Sequence, residues 1–321
     1  MTELIGHDDV WRQFSSALAS GKLHHGWILA GPRGIGKASF ALRAAAALVD
    51  PEAQYGSMIA RGSHPDILWI KRLPKEPPKE DEEVDPDAEL KRSISIDQIR
   101  RLQASLTTRP GLADRRAVII DAADDLERSG ANALLKSLEE PPSGTYFLLV
   151  SHASDRLLPT IRSRCQLLRF EPLGDAEMAK ALGAAAPDAN PHDIAALIRA
   201  GNGAPGQALD FVGLDLGSLE DAMTSIIISG DKSNELRSGL ADQLALKAAQ
   251  LRYEAFLRRA PALIADTTRQ MSAGDALPAT EAWQSASALA TRAIALSLDK
   301  QSVVFQMGSL LASLQPHKQA R

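Results

Sequence analysis

This sequence predicts an α/β domain built on a parallel β-sheet, followed by a small and then a larger all-helical domain. Three observations predict that order. A glycine-rich loop at residues 31–37 follows a short apolar run and precedes an alanine-rich helix. Strand and helix signals alternate through roughly the first 170 residues, and the strand signals stop after Glu171 and Pro172. Alternating strand and helix units form a parallel sheet with helices on both faces.

The elements of the α/β domain follow from their hydrophobic patterns. We expect helices at 8–20, 37–49, 97–106 and 132–139, and strands at 27–30, 66–71, 118–120, 146–151 and 166–170. Ile94 and Ile96, separated by one serine, predict a further strand segment before the third helix. Pro141 and Pro142 end the fourth helix, because proline cannot continue it.

An acidic, proline-rich segment interrupts the α/β pattern. From Pro74 to Leu90 the chain reads PKEPPKEDEEVDPDAEL, which has almost no large apolar side chains. Such a segment buries too little apolar surface to offset its ordering entropy. We therefore predict a mobile loop at 72–93, and a solvated insertion is favoured over an acidic docking tail.

Beyond the last strand signal the sequence is helical. Three short helices are expected at 175–186, 191–200 and 205–212, and a long alanine- and leucine-rich helical region runs from about 217 to 314. The latter carries a basic cluster of Arg252, Arg258 and Arg259. This cluster is either an exposed face or part of the packing of the C-terminal domain.

Composition excludes several classes of protein. The formal net charge is -4, so any DNA contact must come from a local basic patch or from partners. A single cysteine, Cys165, excludes a disulfide framework and a four-cysteine zinc site. No apolar run is long enough to span a bilayer and the first residues are polar, so we expect a cytoplasmic protein without membrane contact.

The glycine-rich loop fits the phosphate-binding pattern G-x-x-x-x-G-K. Gly31, Gly34 and Gly36 let backbone N–H groups turn toward phosphate oxygens, and Lys37 follows to reach the outer phosphates. The next position normally supplies a Ser or Thr hydroxyl to magnesium, and here it is Ala38. Either ATP or ADP binds this degenerate loop without proper metal placement, or the loop is an inherited turn that holds phosphate or nothing.

A second functional group is missing at the end of the strand 118–120. Asp121 occupies the magnesium-side acidic position, but Ala122 stands where a catalytic carboxylate would polarise water. Asp124 and Asp125 would need an unusual turn to replace it. Two independent losses, one of metal placement and one of the base, predict that this chain does not hydrolyse ATP by itself.

Arg164 lies in the triplet Ser-Arg-Cys just before the last strand. Taken alone, an exposed arginine at a domain edge is usually a surface ion pair of little energetic value. The alternative is an arginine finger, a guanidinium offered to the γ-phosphate of a neighbouring subunit. The residues by themselves favour the ion pair.

Three segments together carry a family resemblance, and they span residues 23 to 165. They are LHHG followed by the phosphate loop, NALLKSLEEPP at 132–142, and the SRC triplet at 163–165. The chain resembles the clamp-loader ATPase family of AAA+ proteins, which includes bacterial DNA polymerase III and eukaryotic replication factor C subunits. The resemblance implies an AAA+ domain at 1–172, a helical lid at 173–214 and a helical collar for oligomerisation at 215–321.

Within that family the pattern of losses is similar to a non-hydrolysing, finger-donating subunit. Motor subunits carry a complete G-K-T/S, an Asp-Glu pair and a lid arginine, whereas this chain has Ala38, Ala122 and Gly203-Ala204-Pro205-Gly206-Gln207. Arg164 is kept, and the resemblance implies that it acts on a neighbour's ATP. The alternative is an active γ/τ-like ATPase. A stand-alone DNA-binding module is disfavoured by the net charge.

The resemblance also implies partners and secondary sites. The partners would be γ/τ and δ subunits in a hetero-pentameric ring of the DNA polymerase III holoenzyme, with the sliding clamp and primer-template DNA reached through the assembly. Ser151 either senses the γ-phosphate or caps its loop, and Lys136 either contacts DNA phosphate or is an ordinary solvated lysine. The cysteine module of some relatives has no counterpart at 50–63, so no zinc is expected, and no cofactor is required.

His24 and His25 precede the strand 27–30, and we expect packing or backbone contacts for them rather than catalysis.

Overall fold

The computed structural model describes residues 4–76, 88–271 and 273–315. The chain divides into two compact units. The first comprises Met1–Glu177 together with Gly203–Gly206, and the second comprises Met178–Asn202 together with Gln207–Arg321. The predicted division of the helical part into a lid and a collar at residue 214 stays a prediction.

A five-stranded parallel sheet forms the centre of the first unit, in the order β2-β3-β4-β1-β5. Its strands are β1 Gly26–Ala30, β2 Ile67–Lys71, β3 Arg116–Asp121, β4 Thr145–Ser151 and β5 Gln166–Arg169. Central strands of a parallel sheet are covered on both faces, and β1 is accordingly buried at every residue. The predicted fold class, an α/β domain with a parallel sheet followed by a helical region, is confirmed.

Helices cover both faces of this sheet. They are α1 Asp8–Ala19, α2 Lys37–Val49, α3 Gly56–Ala60, α4 Ile96–Ser105, α5 Arg128–Glu139 and α6 Pro159–Arg162. One hydrophobic core contains side chains of α1 and α2, among them Phe14 and Phe40, both fully buried. The opposite core contains Ile99 of α4 and Leu134 of α5. The sheet is thereby enclosed, and its strand ends are left to form sites.

The predicted strand segment at Ile94 and Ile96 is wrong. Ile94 makes a single isolated bridge with Leu126, and Ile96 is already the first residue of α4. Ser95 and Gln98 form a capping box, in which each side chain bonds the other's backbone. This local start signal determines the helix, and the alternation of isoleucines does not indicate a strand here.

Half of the predicted acidic loop, residues 77–87, lies outside the described residues, and its mobility stays a prediction. Its two ends are described. Pro74 and Leu90 form an antiparallel bridge, and the backbone N–H of Lys75 donates to the carbonyl of Glu89 at 2.7 Å. The side chains of Lys75 and Glu89 also form an ion pair. The loop therefore leaves and re-enters the domain at one point.

The remaining helices are α7 Asp175–Ala185, α8 Pro191–Gly201, α9 Pro205–Leu209, α10 Leu216–Ser229, α11 Glu235–Ala245, α12 Gln250–Arg269, α13 Ala273–Ala295 and α14 Lys300–Ala312. Within the described residues none of the helices is long and apolar enough to cross a membrane.

The basic cluster of α12 takes part in packing. The Arg259 guanidinium is buried against Glu220 of α10, with Nη2 to Oε1 at 2.7 Å, and Arg199 of α8 binds the other oxygen of the same carboxylate. Arg258 pairs with Asp210, and Arg252 pairs with Asp215. Arg259 has the packing role, whereas the side chain of Arg258 is 48% exposed and that of Arg252 31%, so the cluster combines both interpretations left open by the sequence.

Candidate nucleotide cleft and arginine corner

A cavity of about 730 Å³ lies at the carboxyl ends of the strands, and we name it the phosphate-loop cleft. Its wall comprises the glycine-rich loop, the start of α2, the ends of β2, β3 and β4 and the root of the acidic loop. The lining residues are Arg33, Gly34, Gly36, Lys37, Ala38, Ser39, Lys71, Arg72, Pro74, Leu90, Asp121, Ala122, Asp125, Val150, His152 and Gly206. Carboxyl strand ends are the usual place for a ligand in an open α/β sheet.

Lys37 contacts its own loop. Its Nζ donates to the carbonyl oxygens of Gly31 at 2.6 Å and Pro32 at 2.5 Å, and the residue is only 3% exposed. Burial lowers the pKa of Lys37 to about 8, although the carboxylates of Asp121 and Asp124 partly oppose that shift. Two of the three ammonium donors are thus used within the loop rather than kept for a phosphate.

The glycine-rich loop is also held from two other sides. The ring of His7 is buried and its Nε2–H donates to the carbonyl of Ile35 at 2.9 Å. On the other side the backbone N–H of Gly206 donates to the carbonyl of Gly34 at 2.8 Å. A Cβ at Gly206 would lie 2.8 Å from the Cα of Gly34, so only glycine permits this approach. Neither contact was predicted, because both join residues far apart in sequence.

The acidic position at the end of β3 is kept. Asp121 lines the cleft, and burial raises the pKa of its carboxyl group, a shift that His152 and Lys37 partly oppose. Ala122 follows it and is 3% exposed. Asp125 forms an ion pair with Arg72, with Nε to Oδ2 at 3.0 Å. This carboxylate is therefore already used by an arginine of the same domain.

Asp124 is occupied by the strand next to it. Its carboxylate accepts hydrogen bonds from the Ser151 hydroxyl at 2.9 Å and from the backbone N–H groups of His152 at 2.6 Å and Ala153 at 3.2 Å. The Ser151 hydroxyl thus contacts Asp124, and both roles considered for Ser151 stay predictions. His152 also lines the cleft, and burial lowers the pKa of its ring. Sequence reasoning missed His152, since only its position after Ser151 marks it.

Arg164 lies at the opposite end of the sheet, just before β5, in what we name the arginine corner: His25, Gly26, Glu139 and Arg164. Its Nη2 contacts Oε1 of Glu139 at 2.6 Å, and its Nη1 donates to the Thr160 carbonyl at 2.9 Å and to Ser163 Oγ at 3.3 Å. The Arg164 side chain is 34% exposed and that of Glu139 is 47% exposed. The guanidinium is thus held in one place but is still open to solvent.

The LHHG part of the first family segment meets the end of NALLKSLEEPP and the SRC triplet at this corner. His25 Nε2–H donates to the carbonyl of Leu138 at 2.9 Å, next to Glu139, which matches the expected backbone role. Burial lowers the pKa of His25, a shift that the hydrogen bond to the Leu138 carbonyl partly opposes. A Cβ at Gly26 would lie 2.9 Å from Cys165 Sγ and 3.2 Å from the Arg164 carbonyl. Glycine at this position therefore lets the SRC turn pack against β1.

The two sites are separated by the length of the strands. Ala30, at the carboxyl end of β1, is aligned with Ser151 and Arg169, whereas Arg164 precedes the first residue of β5. At about 3.3 Å per residue, the backbone of Arg164 lies about 15 Å from the level of Ala30. An arginine side chain is too short to cross that distance, so Arg164 cannot serve the phosphate loop of its own chain.

Lys136 is the predicted DNA-facing residue, and no metal site is expected. Lys136 is exposed on α5. Where the structure describes side chains, no group of three or more His, Cys, Asp or Glu residues is arranged to hold a metal ion.

Comparisons with known proteins agree with these motifs. The family described as DNA polymerase III, delta subunit, matches residues 6–174, which is more than half of the chain. The DNA polymerase III subunit delta′ of Pseudomonas aeruginosa is 33% identical over 206 residues, 61% of this chain and 58% of that protein.

Two further relatives are a delta′ subunit and a gamma subunit of DNA polymerase III. Subunit delta′ of Bacillus subtilis is 30% identical over 51% of this chain and 47% of its own length. DNA polymerase III subunit gamma of Buchnera aphidicola is 30% identical over 56% of this chain and 47% of its own length. The chain spans less than two thirds of the length of each of these curated relatives.

Proposed function

This chain belongs to the DNA polymerase III delta-subunit family of clamp-loader AAA+ proteins, and from that membership we propose that it acts as a delta-prime subunit. In this role it does not hydrolyse ATP itself. It instead offers Arg164 to the ATP site of a neighbouring γ/τ motor subunit while a sliding clamp is loaded on primed DNA. The role implies a cytoplasmic location and no catalysis by the chain alone.

One observation carries the proposal: Arg164 and the phosphate-loop cleft lie at opposite ends of the sheet. Arg164 is too far from its own loop to act there, yet it is partly exposed and fixed by three acceptors. The geometry favours action on another molecule. The cleft, in contrast, has Ala38 where a metal-binding hydroxyl belongs and Ala122 where a base belongs.

The chemical contribution follows from the guanidinium. Phosphoryl transfer spreads negative charge over the γ-phosphate oxygens and the leaving oxygen, and an arginine finger stabilises that charge with directed N–H donors. The neighbour supplies its own phosphate loop, metal ligands and water-orienting carboxylate. The present chain supplies a single cation at the shared boundary, and it takes no part in metal binding.

In this proposal the phosphate-loop cleft has a structural role. Lys37 bonds Gly31 and Pro32, His7 bonds Ile35, and Gly206 bonds Gly34, so the loop has internal partners without any phosphate. ATP or ADP binding would be incidental, and Gly31, Gly34, Gly36, Lys37, Ala38, Asp121 and Ser151 form what is left of a nucleotide site. A loop held in this way supports a rigid subunit.

The assembly would be a hetero-pentameric ring with γ/τ and δ subunits. Residues 173–214 would form the lid and residues 215–321 the collar that joins neighbouring collars. The sliding clamp and primer-template DNA would be reached through the ring, with Lys136 as one candidate phosphate contact. No zinc is needed for any of these steps.

The proposal is tested by steady-state ATPase of the purified chain alone, with Lys37→Ala as background. We expect no turnover above that background, and co-elution with γ/τ and δ subunits from the same source in size-exclusion chromatography. Turnover that Lys37→Ala abolishes would instead support the alternative, a γ/τ-like motor. Absence of ATP turnover together with absence of co-elution would mean that the chain is not part of the ring, and it would contradict the proposal.

A further inference from the structure

The ion pair between Arg164 and Glu139 stands out among the contacts of the arginine corner. Thr160 and Ser163 offer neutral oxygens to one guanidinium nitrogen, whereas Glu139 offers a full negative charge to another. Glu139 is the last residue of α5, and the carbonyl before it is tied to His25. The carboxylate is therefore delivered to Arg164 by a fixed helix end.

A guanidinium bound to a carboxylate has much of its charge neutralised. An arginine finger works by its positive charge and its free N–H donors, so the same contact that holds Arg164 also opposes its action. We propose that Glu139 is the resting counter-ion of Arg164, a positioning residue that holds the guanidinium until a neighbour's γ-phosphate displaces the carboxylate. This inference rests on the proposed finger-donating function.

The exposure of both partners makes such an exchange feasible. Arg164 is 34% and Glu139 47% exposed, so water screens the pair, and pairs of this kind change an equilibrium by about fivefold at most. A triphosphate bears more charge than one carboxylate and competes with it readily. The neutral contacts to Thr160 and Ser163 need not be lost in the exchange, so the arginine keeps its direction while Glu139 leaves.

The test is the ATPase of the reconstituted clamp loader in the absence of DNA, with Glu139→Gln in this chain. Glutamine keeps the size of the side chain and an oxygen for Nη2, and it removes only the charge. We expect kcat/KM for ATP to rise by about two- to fivefold, because the γ-phosphate no longer has to displace a carboxylate from Arg164. Glu139→Asp, which keeps the charge, is expected to stay near the wild-type rate.

Two controls separate this effect from others. Glu140→Gln makes the same charge change one residue later on the exposed end of α5, and it should leave the rate unchanged. In an Arg164→Ala background, Glu139→Gln should have no further effect, since its action passes through the arginine. Thermal unfolding of each variant identifies any change of stability, and Glu139→Ala provides a second removal of the charge.

A Glu139→Gln rate that equals or falls below wild type would overturn the counter-ion role, as would an equal rise with Glu140→Gln. If Arg164→Ala itself leaves the assembly's rate unchanged, the finger-donating function fails and this inference fails with it. If Arg164→Ala strongly lowers the ATPase rate and Glu139→Gln does not change it, the counter-ion role is wrong and the finger-donating function still stands.

Discussion

The carboxyl end and the amino end of the β-sheet differ in the functional groups that they carry. The carboxyl end has a phosphate-loop cleft of about 730 Å³, but Ala38 and Ala122 replace the groups that hydrolysis needs. The amino end carries a fixed, partly exposed arginine, Arg164. In the proposed function, the phosphate-loop fold is kept for support, and Arg164 at the other end of the sheet acts on the ATP of a neighbouring subunit.

The charged side chains at the two ends of the sheet also differ in how they are paired. In the cleft the charged groups are used internally, since Lys37 bonds loop carbonyls, Asp124 bonds Ser151 and the backbone, and Asp125 pairs with Arg72. At the arginine corner the charged pair of Arg164 and Glu139 is partly exposed to solvent, and in our proposal it exchanges partners. A group that is satisfied and buried contributes to stability, whereas one that is held and accessible can act on another molecule.

The largest effect is expected from Arg164. In the reconstituted loader Arg164→Ala should lower the DNA-stimulated ATPase by about 10³-fold, the contribution usual for an arginine finger. Arg164→Lys should recover only a small part of the rate, because lysine lacks the planar fork of donors. Stopped-flow phosphate release measures both variants.

Near-normal rates for Arg164→Ala would mean that the groups that act on ATP lie elsewhere, and they would contradict a functional role for the arginine corner. Rates restored fully by lysine would mean that only charge is needed at this corner.

A smaller effect is expected from the buried acid that precedes β2. The Asp66 carboxylate accepts backbone N–H bonds from Gly111 at 2.6 Å, Leu112 at 2.8 Å and Ala113 at 3.0 Å. Burial alone would raise the pKa of Asp66, but these donors and Arg116 outweigh it and lower the pKa. Asp66→Ala should therefore reduce the free energy of unfolding at pH 7 by about 2 to 3 kcal/mol.

The sign of the pH dependence follows from that lowered pKa. The stabilisation by Asp66 is fully present above its unfolded pKa, near 4, and is lost as pH falls through the lower folded value. Urea unfolding should thus show a wild-type advantage over Asp66→Ala at pH 7 that shrinks below pH 4. An advantage that grows on acidification would contradict this assignment.

The smallest effect is expected from the contact between Gly206 and Gly34 of the phosphate loop. Gly206→Ala would place a methyl group 2.8 Å from the Cα of Gly34, which is backbone and cannot move aside. The free energy of unfolding should fall by about 1 kcal/mol, although alanine is otherwise the better helix former. Differential scanning calorimetry measures the change.

Gly183→Ala is the matched control, since a Cβ there meets no atom within 4 Å and the substitution should be neutral or stabilising. Equal effects of the two substitutions would show that the contact between Gly206 and Gly34 adds nothing.

Much of the fold could be predicted from local sequence signals. The glycine-rich loop, the buried apolar runs and the prolines after Glu140 mark elements whose ends lie within a few residues of the prediction. The error at Ile94 and Ile96 has a local cause, because the capping box at Ser95 starts the helix. Asp121 and Ser151 were placed correctly at strand ends, since parallel strands bring their carboxyl ends to one edge.

The site contacts themselves could not be predicted. Glu139 and Arg164 are 25 residues apart, His7 and Ile35 are 28 residues apart, and no periodicity links them. Gly206 lies far along the chain from Gly34, and only the folded backbone brings them together. The sequence indicates which residue types are present and where a strand ends, whereas such pairings are decided by packing.

The most direct test of the central claim compares Arg164→Ala with Lys37→Ala in a single DNA-stimulated ATPase assay of the reconstituted loader. We expect the Lys37→Ala assembly to keep nearly the wild-type rate and the Arg164→Ala assembly to fall by about 10³-fold. A large loss with Lys37→Ala and an unchanged rate with Arg164→Ala would contradict it, because the working end of the sheet would then be the phosphate-loop cleft.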